Sequence, residues 1–181
     1  MTRDEFVNQL SLEVNLIPVG KQNRSGLTLS PQFVTVHNTD TTNPGADARA
    51  HGRFLKNVGY YMWNGSKRWV SWHFTVDDER VVRHLPLGER GIHAPNGGNT
   101  KSFGIEICMN PETDRATADL RAARVVALLM YDFNLDISKV VPHRKWTTKN
   151  CPRLLMNSQG NPGQKWDAFK NVVKQEFEKI D

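Results

Sequence analysis

Residues 33–38 have the sequence FVTVHN and residues 103–109 have the sequence FGIEICM, and these two segments predict the centre of a β-sheet. Both are rich in β-branched and aromatic residues, which favours strands. In the second segment, a period of two places the large apolar side chains on one face and Glu106 on the other. A buried carboxylate costs free energy unless it is paired or lies near a metal. Glu106 is therefore a candidate either for a buried ion pair or for a general base.

Helical and strand patterns alternate around these two segments. Residues 115–133 have apolar side chains at helical spacing, and Asn134 suits the end of that helix. Helices are also predicted over residues 46–57 and after Asn161, the expected N-cap of the last helix. A hairpin is predicted around residues 77–79. This alternation predicts an α/β fold with a central mixed β-sheet flanked by helices.

Length and composition are typical of one folded domain. The chain has 181 residues, of which 38% are hydrophobic and 24% are charged. We predict a single domain over residues 1–181, in which residues 1–30 form an N-terminal helix and loop extension. No apolar stretch reaches the roughly 18 residues of a membrane span, and no signal peptide is expected at the N-terminus. Two cysteines are too few for a disulfide framework.

The charge is moderately basic. Lys and Arg number 24 and Asp and Glu number 19, which gives a net charge of +5. Such an excess suits a polyanionic partner, either a cell-wall polymer or a nucleic acid. Because the charges are dispersed along the chain, we predict no nucleic-acid partner. We also predict a monomer without membrane insertion.

Three residues have side chains typical of zinc ligands. His37 ends one predicted strand, His143 ends another, and Cys151 follows eight positions after His143. Three protein ligands leave a fourth position for water, which is the pattern of catalytic zinc sites. Spacing alone does not separate this set from ordinary structural residues, since the chain has six histidines and Cys151 is also typical of a small buried side chain.

The remaining histidines and one lysine allow more than one interpretation. His73 is expected to be a hydrogen-bonded histidine of the core or of a groove. His51 and His84 have no evident partner and are expected at the surface. His93, in the loop GIHAPNGG, either lines a pocket or caps a turn. Lys149, two residues before Cys151, lies either near a metal or in an ordinary solvated loop.

Five motifs occur along the chain in the order VTVHNT, SWHFTVDD, GIHAPNGG, FGIEIC and HRKWTTKNCP. Over roughly residues 31–175, they resemble the zinc-dependent N-acetylmuramoyl-L-alanine amidases of the type-2 amidase family, and in particular the phage and prophage endolysins of Bacillus-type hosts. The resemblance implies the fold of peptidoglycan-recognition proteins, with a zinc site in a groove. The absence of a predicted signal peptide indicates a protein made in the cytoplasm. The resemblance implies that it acts on the peptidoglycan of the bacterial cell wall after release or lysis.

By motif, the resemblance implies His37, His143 and Cys151 as the zinc ligands and Glu106 and Lys149 as the catalytic residues. A zinc ion with two neutral histidines and one thiolate keeps a net charge of about +1, and lowers the pKa of its bound water to ~7. The implied reaction is hydrolysis, by this water, of the amide between N-acetylmuramic acid and L-alanine. Glu106 would take the proton of the water and deliver it to the leaving amine.

Two features depart from the family pattern. Many relatives have a tyrosine directly before the mid-strand histidine, where this chain has Trp72, which is not a comparable proton donor. The segment Gly59–Trp69, GYYMWNGSKRW, is also longer than the resemblance predicts. Its aromatic side chains either stack on sugar or pack locally, with packing favoured for Tyr60 and the question left open for Trp63.

Two other functions compete with hydrolysis of this amide. One is a recognition module that binds peptidoglycan without cleaving it. Such proteins commonly lack the cysteine ligand, so the presence of Cys151 argues against this alternative. The other is a different metallohydrolase, but a thermolysin-like protease would need the motif HExxH, which the chain lacks.

Overall fold

A computed structural model describes residues 1–181 and contains helices and strands in alternation. The helices are α1 (Arg3–Asn8), α2 (Ala48–Asn57), α3 (Gly98–Lys101), α4 (Arg115–Phe133) and α5 (Gln164–Phe177). The strands are β1 (Leu12–Val14), β2 (Phe33–Asn38), β3 (Tyr60–Trp63), β4 (Ser66–Trp69), β5 (Phe74–Val76), β6 (Val81–Arg83), β7 (Ser102–Ile107) and β8 (Val140–Pro142). Short 3-10 helices cover Ile137–Lys139, His143–Lys145 and Arg153–Leu155.

Six of the strands form one mixed sheet in the order β1-β6-β5-β7-β2-β8. All neighbouring strands are parallel except β5 and β6, which form an antiparallel hairpin. The predicted mixed sheet flanked by helices is therefore confirmed. The two segments predicted to form the centre of the sheet, β2 and β7, are neighbours in it, and their register places His37 directly beside Glu106.

The two faces of the sheet are covered by different helices. On one face, α4 packs against the apolar side chains of the central strands, which include Val34, Phe103 and Ile105, and α5 packs beside α4 in the same apolar core. Each fully buried side chain of this size contributes roughly 1.5–3 kcal/mol through its removal from water. On the other face, α2 packs over β5 and β6, and Leu55 contributes to a smaller apolar cluster there. The polar side chains of β2 and β7 open towards this second face.

The helix over residues 115–133 is confirmed, whereas the start of the last helix was predicted wrongly. Asn134 adopts the left-handed conformation with φ of 50° and ends α4 as expected. The last helix begins at Gln164 and not directly after Asn161. Asn161 instead belongs to the preceding turn, because its backbone N–H donates to Asn157 Oδ1 and its carbonyl accepts from the Asn157 backbone N–H.

Two strand pairs are absent from the sequence predictions. β1 pairs in parallel with β6, so residues 1–30 contribute an edge strand of the main sheet in addition to the predicted helix and loop. β3 and β4 form a separate antiparallel hairpin, which includes most of Gly59–Trp69. No helix combines the length and the apolar character that a bilayer crossing requires.

Candidate metal centre

A cleft of about 490 Å³ opens on the α2 side of the sheet. Its floor is formed by the end of β2 and by Glu106 of β7, and its walls by α2 and by the loops that contain His143 and Cys151. Because β2, β7 and β8 are parallel neighbours, their carboxyl ends meet at one edge of the sheet, where the loops of α/β proteins commonly bind ligands.

Three of the predicted residues converge in this cleft. His37 lies in β2, His143 directly follows β8, and Cys151 lies in the next loop. The nitrogen and sulfur atoms that each offers lie within 4.8 Å of one another, and all three side chains are buried. The Cys151 Sγ lies 3.7 Å from His37 Nδ1. The structure thus brings together the two histidines and the cysteine that lie up to 114 positions apart in the sequence.

Backbone contacts hold the cysteine loop against the strand ends. The Arg144 backbone N–H donates to the Cys151 carbonyl at 3.2 Å, which ties the loop to the turn that follows β8. The Leu154 backbone N–H donates to Asn38 Oδ1 at 3.0 Å, which ties the far end of the loop to the end of β2. Cys151 is therefore positioned by contacts with both strands whose ends form the centre.

The polar atoms of this cluster fit a metal ion. Both ring nitrogens of His143 and the Oε2 atom of Glu106 are buried without a hydrogen-bond partner. A buried polar group without a partner typically costs about 1–3 kcal/mol, so such groups normally have a reason to persist. Two imidazoles and one thiol form a donor set that suits Zn²⁺. A cation bound among them would satisfy the nitrogen of His143 and the sulfur of Cys151 together.

Burial sets the protonation of the three donors. It lowers the pKa of His37 well below its ordinary value and that of His143 to about 4, so both rings are neutral at pH 7. Burial also raises the pKa of the Cys151 thiol to about 12, with the nearby Glu106 carboxylate adding to the effect. Without a cation the cysteine is thus a thiol, and it must lose a proton to become a ligand.

Glu106 lies on the cleft face of β7, as the period of two predicts. Its Oε1 atom is 3.8 Å from His37 Nδ1. Burial raises the pKa of the Glu106 carboxyl well above its ordinary value, and the positive charge of Lys149 partly opposes this rise. A carboxyl group with a raised pKa beside candidate metal ligands has the properties of a proton carrier at neutral pH.

Lys149 lines the same cleft, and its side chain is half exposed. Its Nζ forms an ion pair with Asp40 Oδ2 at 3.3 Å, which holds the ammonium at the rim. Burial lowers the pKa of Lys149, but the interactions with Cys151 and Asp40 outweigh this effect and leave the pKa above its ordinary value. The ammonium therefore stays protonated at neutral pH and faces the centre as a fixed positive charge.

His93 lines the cleft, which is one of the two positions that the sequence left open for it. Its Nδ1 lies 3.0 Å from His37 Nε2, and its Nε2 lies 3.2 Å from the Ser102 carbonyl oxygen. Because a carbonyl only accepts, His93 must carry its proton on Nε2, so its Nδ1 is an acceptor and His37 donates from Nε2. These partners leave the lone pair of His37 on Nδ1, the atom that faces Cys151.

One sequence signal for this contact was present in β7. A Cβ atom on Gly104 would lie 2.8 Å from Cγ of the His93 ring, which is closer than real Cβ contacts. A glycine inside a strand often marks the close approach of another group. Gly104, two residues before Glu106, thus makes the space through which His93 reaches His37.

His73 behaves as the sequence predicts. It is fully buried, and its Nε2 lies 2.9 Å from the Glu89 carbonyl oxygen. Its Nδ1 accepts from the Gly104 backbone N–H at 3.0 Å. Both ring nitrogens are therefore satisfied within the protein, and His73 is a hydrogen-bonded core histidine.

The surface positions expected for His51 and His84 were wrong. His84 directly follows β6 and is fully buried beneath α2, with its Nε2 at 2.8 Å from Thr75 Oγ1. A Cβ atom on Gly52 of α2 would lie 3.3 Å from the His84 ring, which shows how closely the helix covers it. His51 lies on the buried side of α2 and lines the cleft. Trp72 also lines the cleft, and its indole N–H donates to Thr75 Oγ1 at 2.7 Å.

Comparisons with known proteins agree with this geometry. Residues 27–154, more than half of the chain, match the Amidase_2 family model, described as N-acetylmuramoyl-L-alanine amidase. The chain is 45% identical over 159 residues to the N-acetylmuramoyl-L-alanine amidase XlyA of Bacillus subtilis (strain 168), covering 86% of this chain and 48% of that protein. It is 42% identical over 168 residues to the amidase CwlH of the same organism, covering 91% of this chain and 61% of CwlH.

A solved structure of the catalytic domain of XlyA matches with a TM-score of 0.79 and 42% identity, covering 91% of this chain and 99% of that one. The chain spans between about half and three fifths of the length of these two curated relatives. The match to the family model extends over every strand of the main sheet except β1, over the cleft and over all three converging donors. The chain belongs to the Amidase_2 family of N-acetylmuramoyl-L-alanine amidases.

Proposed function

We propose that residues 1–181 form one catalytic domain, a zinc amidase that hydrolyses the amide between N-acetylmuramic acid and L-alanine in bacterial peptidoglycan. The observation that carries this proposal is the convergence of His37, His143 and Cys151 beside Glu106 in the cleft of an Amidase_2 chain. We further propose that the domain acts as a monomer on the cell wall, as an endolysin does, and that it binds neither nucleic acid nor membrane.

The three donors would hold Zn²⁺ through His37 Nδ1, a ring nitrogen of His143 and Cys151 Sγ. When bound, Zn²⁺ supplies Lewis acidity that lowers the pKa of water and polarises a carbonyl oxygen. The protein supplies two neutral imidazoles, because burial depresses the pKa of both histidines. The hydrogen bond between His37 and His93 fixes the tautomer that binding requires.

The remaining groups move protons and stabilise charge. Glu106 would accept a proton from the attacking water as the oxygen adds to the carbonyl carbon of the lactyl group. Glu106 would then deliver that proton to the nitrogen of L-alanine as the C–N bond breaks. The Lys149 ammonium, held at the rim by Asp40, would stabilise the negative charge that develops on the carbonyl oxygen. The products are a free lactyl carboxylate and a free peptide amine.

Mass spectrometry of digested peptidoglycan tests the proposal. We expect new amino termini on L-alanine and glycan strands with free lactyl groups, without new reducing sugar ends. The cleft contains no pair of carboxylates like that of a glycosidase, since Glu106 is the one acidic side chain among its lining residues. New reducing ends would exclude the amidase. Binding of peptidoglycan without any cleavage by the zinc-loaded protein would favour the recognition module instead.

A further inference from the structure

The hairpin β3–β4 stands apart from the main sheet, and its two faces differ. Strand alternation and the register of the pair separate its side chains into two sets. The first set, the packed face, consists of Tyr60, Met62, Lys67 and Trp69. The second set, the open face, consists of Tyr61, Trp63, Ser66 and Arg68.

The packed face has internal partners, whereas the open face does not. The Tyr60 and Trp69 ring centroids are 5.0 Å apart, and Lys67 Nζ lies 4.4 Å from the Tyr60 centroid. On the open face, Tyr61 and Trp63 are 53% and 57% exposed, and neither takes part in the ring pair and cation–π contacts that join Tyr60, Lys67 and Trp69. Two large aromatic side chains exposed next to each other are typical of a surface that binds a partner.

Two local features define the turn of this hairpin and its attachment to the rest of the fold. Its turn, Asn64–Gly65, has two successive positive φ angles of 47° and 76°, as a tight two-residue turn requires. At its base, the Asn23 side chain donates to the Leu55 and Val70 carbonyls at 2.9 and 3.1 Å. Gly59, with φ of 70°, gives the space for this contact, because a Cβ atom there would lie 2.3 Å from Asn23 Nδ2.

The open face continues the wall of the cleft. Tyr61 lines the cleft together with Phe54, Val70 and Trp72. Trp63 is two positions further along β3 and lies on the same face, about 7 Å away along the strand. The two rings therefore form a strip that begins at the wall of the cleft and extends outward from it.

We propose that this strip binds the sugar chain next to the amide that is cleaved, with pyranose rings stacked on Tyr61 and Trp63 and Arg68 donating to their hydroxyl and N-acetyl oxygens. The inference rests on the proposed function. Flat aromatic side chains suit the apolar C–H faces of sugars and tolerate the polar groups at the ring edges. An anionic polymer would need several cations, but the open face has only Arg68, since Lys67 lies on the packed face over Tyr60.

Kinetics on substrates of increasing sugar length test the inference. The zinc-loaded enzyme is assayed on a single N-acetylmuramic acid, a disaccharide and a tetrasaccharide that all carry the same peptide. We expect kcat/KM to rise with sugar length in the wild type. Trp63→Ala is expected to lose about tenfold on the tetrasaccharide, a typical effect for a tryptophan at a binding surface, and to keep wild-type activity on the single sugar. Met62→Ala is the matched control, because Met62 is 58% exposed on the opposite face.

Binding of a peptide-free tetrasaccharide gives a second readout. In a Glu106→Gln background, Trp63→Ala is expected to weaken this binding, whereas Met62→Ala leaves it unchanged. Equal losses on all sugar lengths, or an equal effect of Met62→Ala, would each overturn the inference while leaving the amidase intact. A wild type that cleaves no substrate would instead refute the proposed function. Equal melting temperatures of the two variants establish that both fold.

Discussion

His143 and His73 have the same side chain and nearly the same physical setting, yet they differ in one respect. Both are buried, and burial lowers the pKa of both to about 4. The ring nitrogens of His73 are both hydrogen-bonded to backbone groups, whereas neither nitrogen of His143 has a partner. Burial and a shifted pKa therefore do not identify a binding residue in this protein. The unsatisfied ring nitrogens distinguish the candidate ligand from the structural histidine.

The largest effects, on zinc binding, turnover and stability, are expected for alanine substitutions at His143 and His73. His143→Ala is expected to abolish zinc binding and turnover, because it removes one of three ligands. The unfolding free energy of the zinc-free protein should change by less than about 1 kcal/mol, since no hydrogen bond is lost. His73→Ala should retain zinc, but it should lower that free energy by about 1–3 kcal/mol, because the Gly104 N–H and Glu89 carbonyl lose their partner.

Elemental analysis and urea unfolding in the presence of a chelator measure both quantities for both variants. Wild-type zinc content in His143→Ala would remove this residue from the ligand set. Loss of zinc from a fully folded His73→Ala would show that hydrogen-bond satisfaction does not separate the two histidines.

The next effect concerns Glu106, whose Oε2 atom is also buried without a partner. Glu106→Gln keeps the shape of the side chain but removes the proton acceptor, so turnover should fall by about 10²–10⁴-fold with zinc retained. Turnover is measured per folded, zinc-loaded molecule. If Glu106 served only as part of a structural ion pair, the variant would unfold more readily but would cleave at a near wild-type rate by this measure.

His93 tests whether the orientation of a ligand matters as well as its presence. His93→Leu removes the acceptor that fixes the tautomer of His37, and zinc affinity should fall by about 10–100-fold, as is typical for partners of metal-bound histidines. His93→Gln can still accept from His37 Nε2 and should recover part of the loss. Competition with a chromophoric chelator measures the affinities. Equal affinities for the two variants would mean that the His93 ring only fills space beside Gly104.

The sequence predicted those parts of the fold whose signals are local. β2 and α4 have the predicted bounds, because strand and helix periodicity both operate over a few neighbouring residues. β1 was missed because three residues form a strand only when β6 lies beside them. The β3–β4 hairpin was not predicted although Asn64–Gly65 is a strong turn signal. The residues before this turn, YYMW, lack the alternation of apolar and polar side chains that indicates a half-buried strand.

The candidate site was predictable only in part, because most of its contacts join residues that are far apart in the sequence. His37, His143 and Cys151 came from the order of motifs, because no local pattern places residues over 100 positions apart in one cluster. The register that sets Glu106 beside His37 and the hydrogen bond from His37 to His93 both depend on which strands are neighbours. Gly104 was the one residue whose type indicated a contact of this long-range kind, because a glycine inside a strand often marks the close approach of another group.

The smallest difference between the two histidines is expected in the pH dependence of stability, where they should behave alike. In zinc-free protein, each has a folded-state pKa of about 4, below the 6.5 of an unfolded chain. Between these values the unfolded chain binds the proton and the folded protein does not, so stability is present above pH 6.5 and is lost as the pH falls towards 4. Each histidine should contribute up to about 1.4 kcal/mol per pH unit to this loss. His73→Ala and His143→Ala should therefore flatten the pH dependence of the unfolding free energy by similar amounts, as measured by urea unfolding with chelator from pH 7 to 4.5. If only His73→Ala flattened the pH dependence, His143 would have an ordinary pKa in the zinc-free protein. The ring of His143 would then differ from that of His73 in its hydration as well as in its hydrogen bonds.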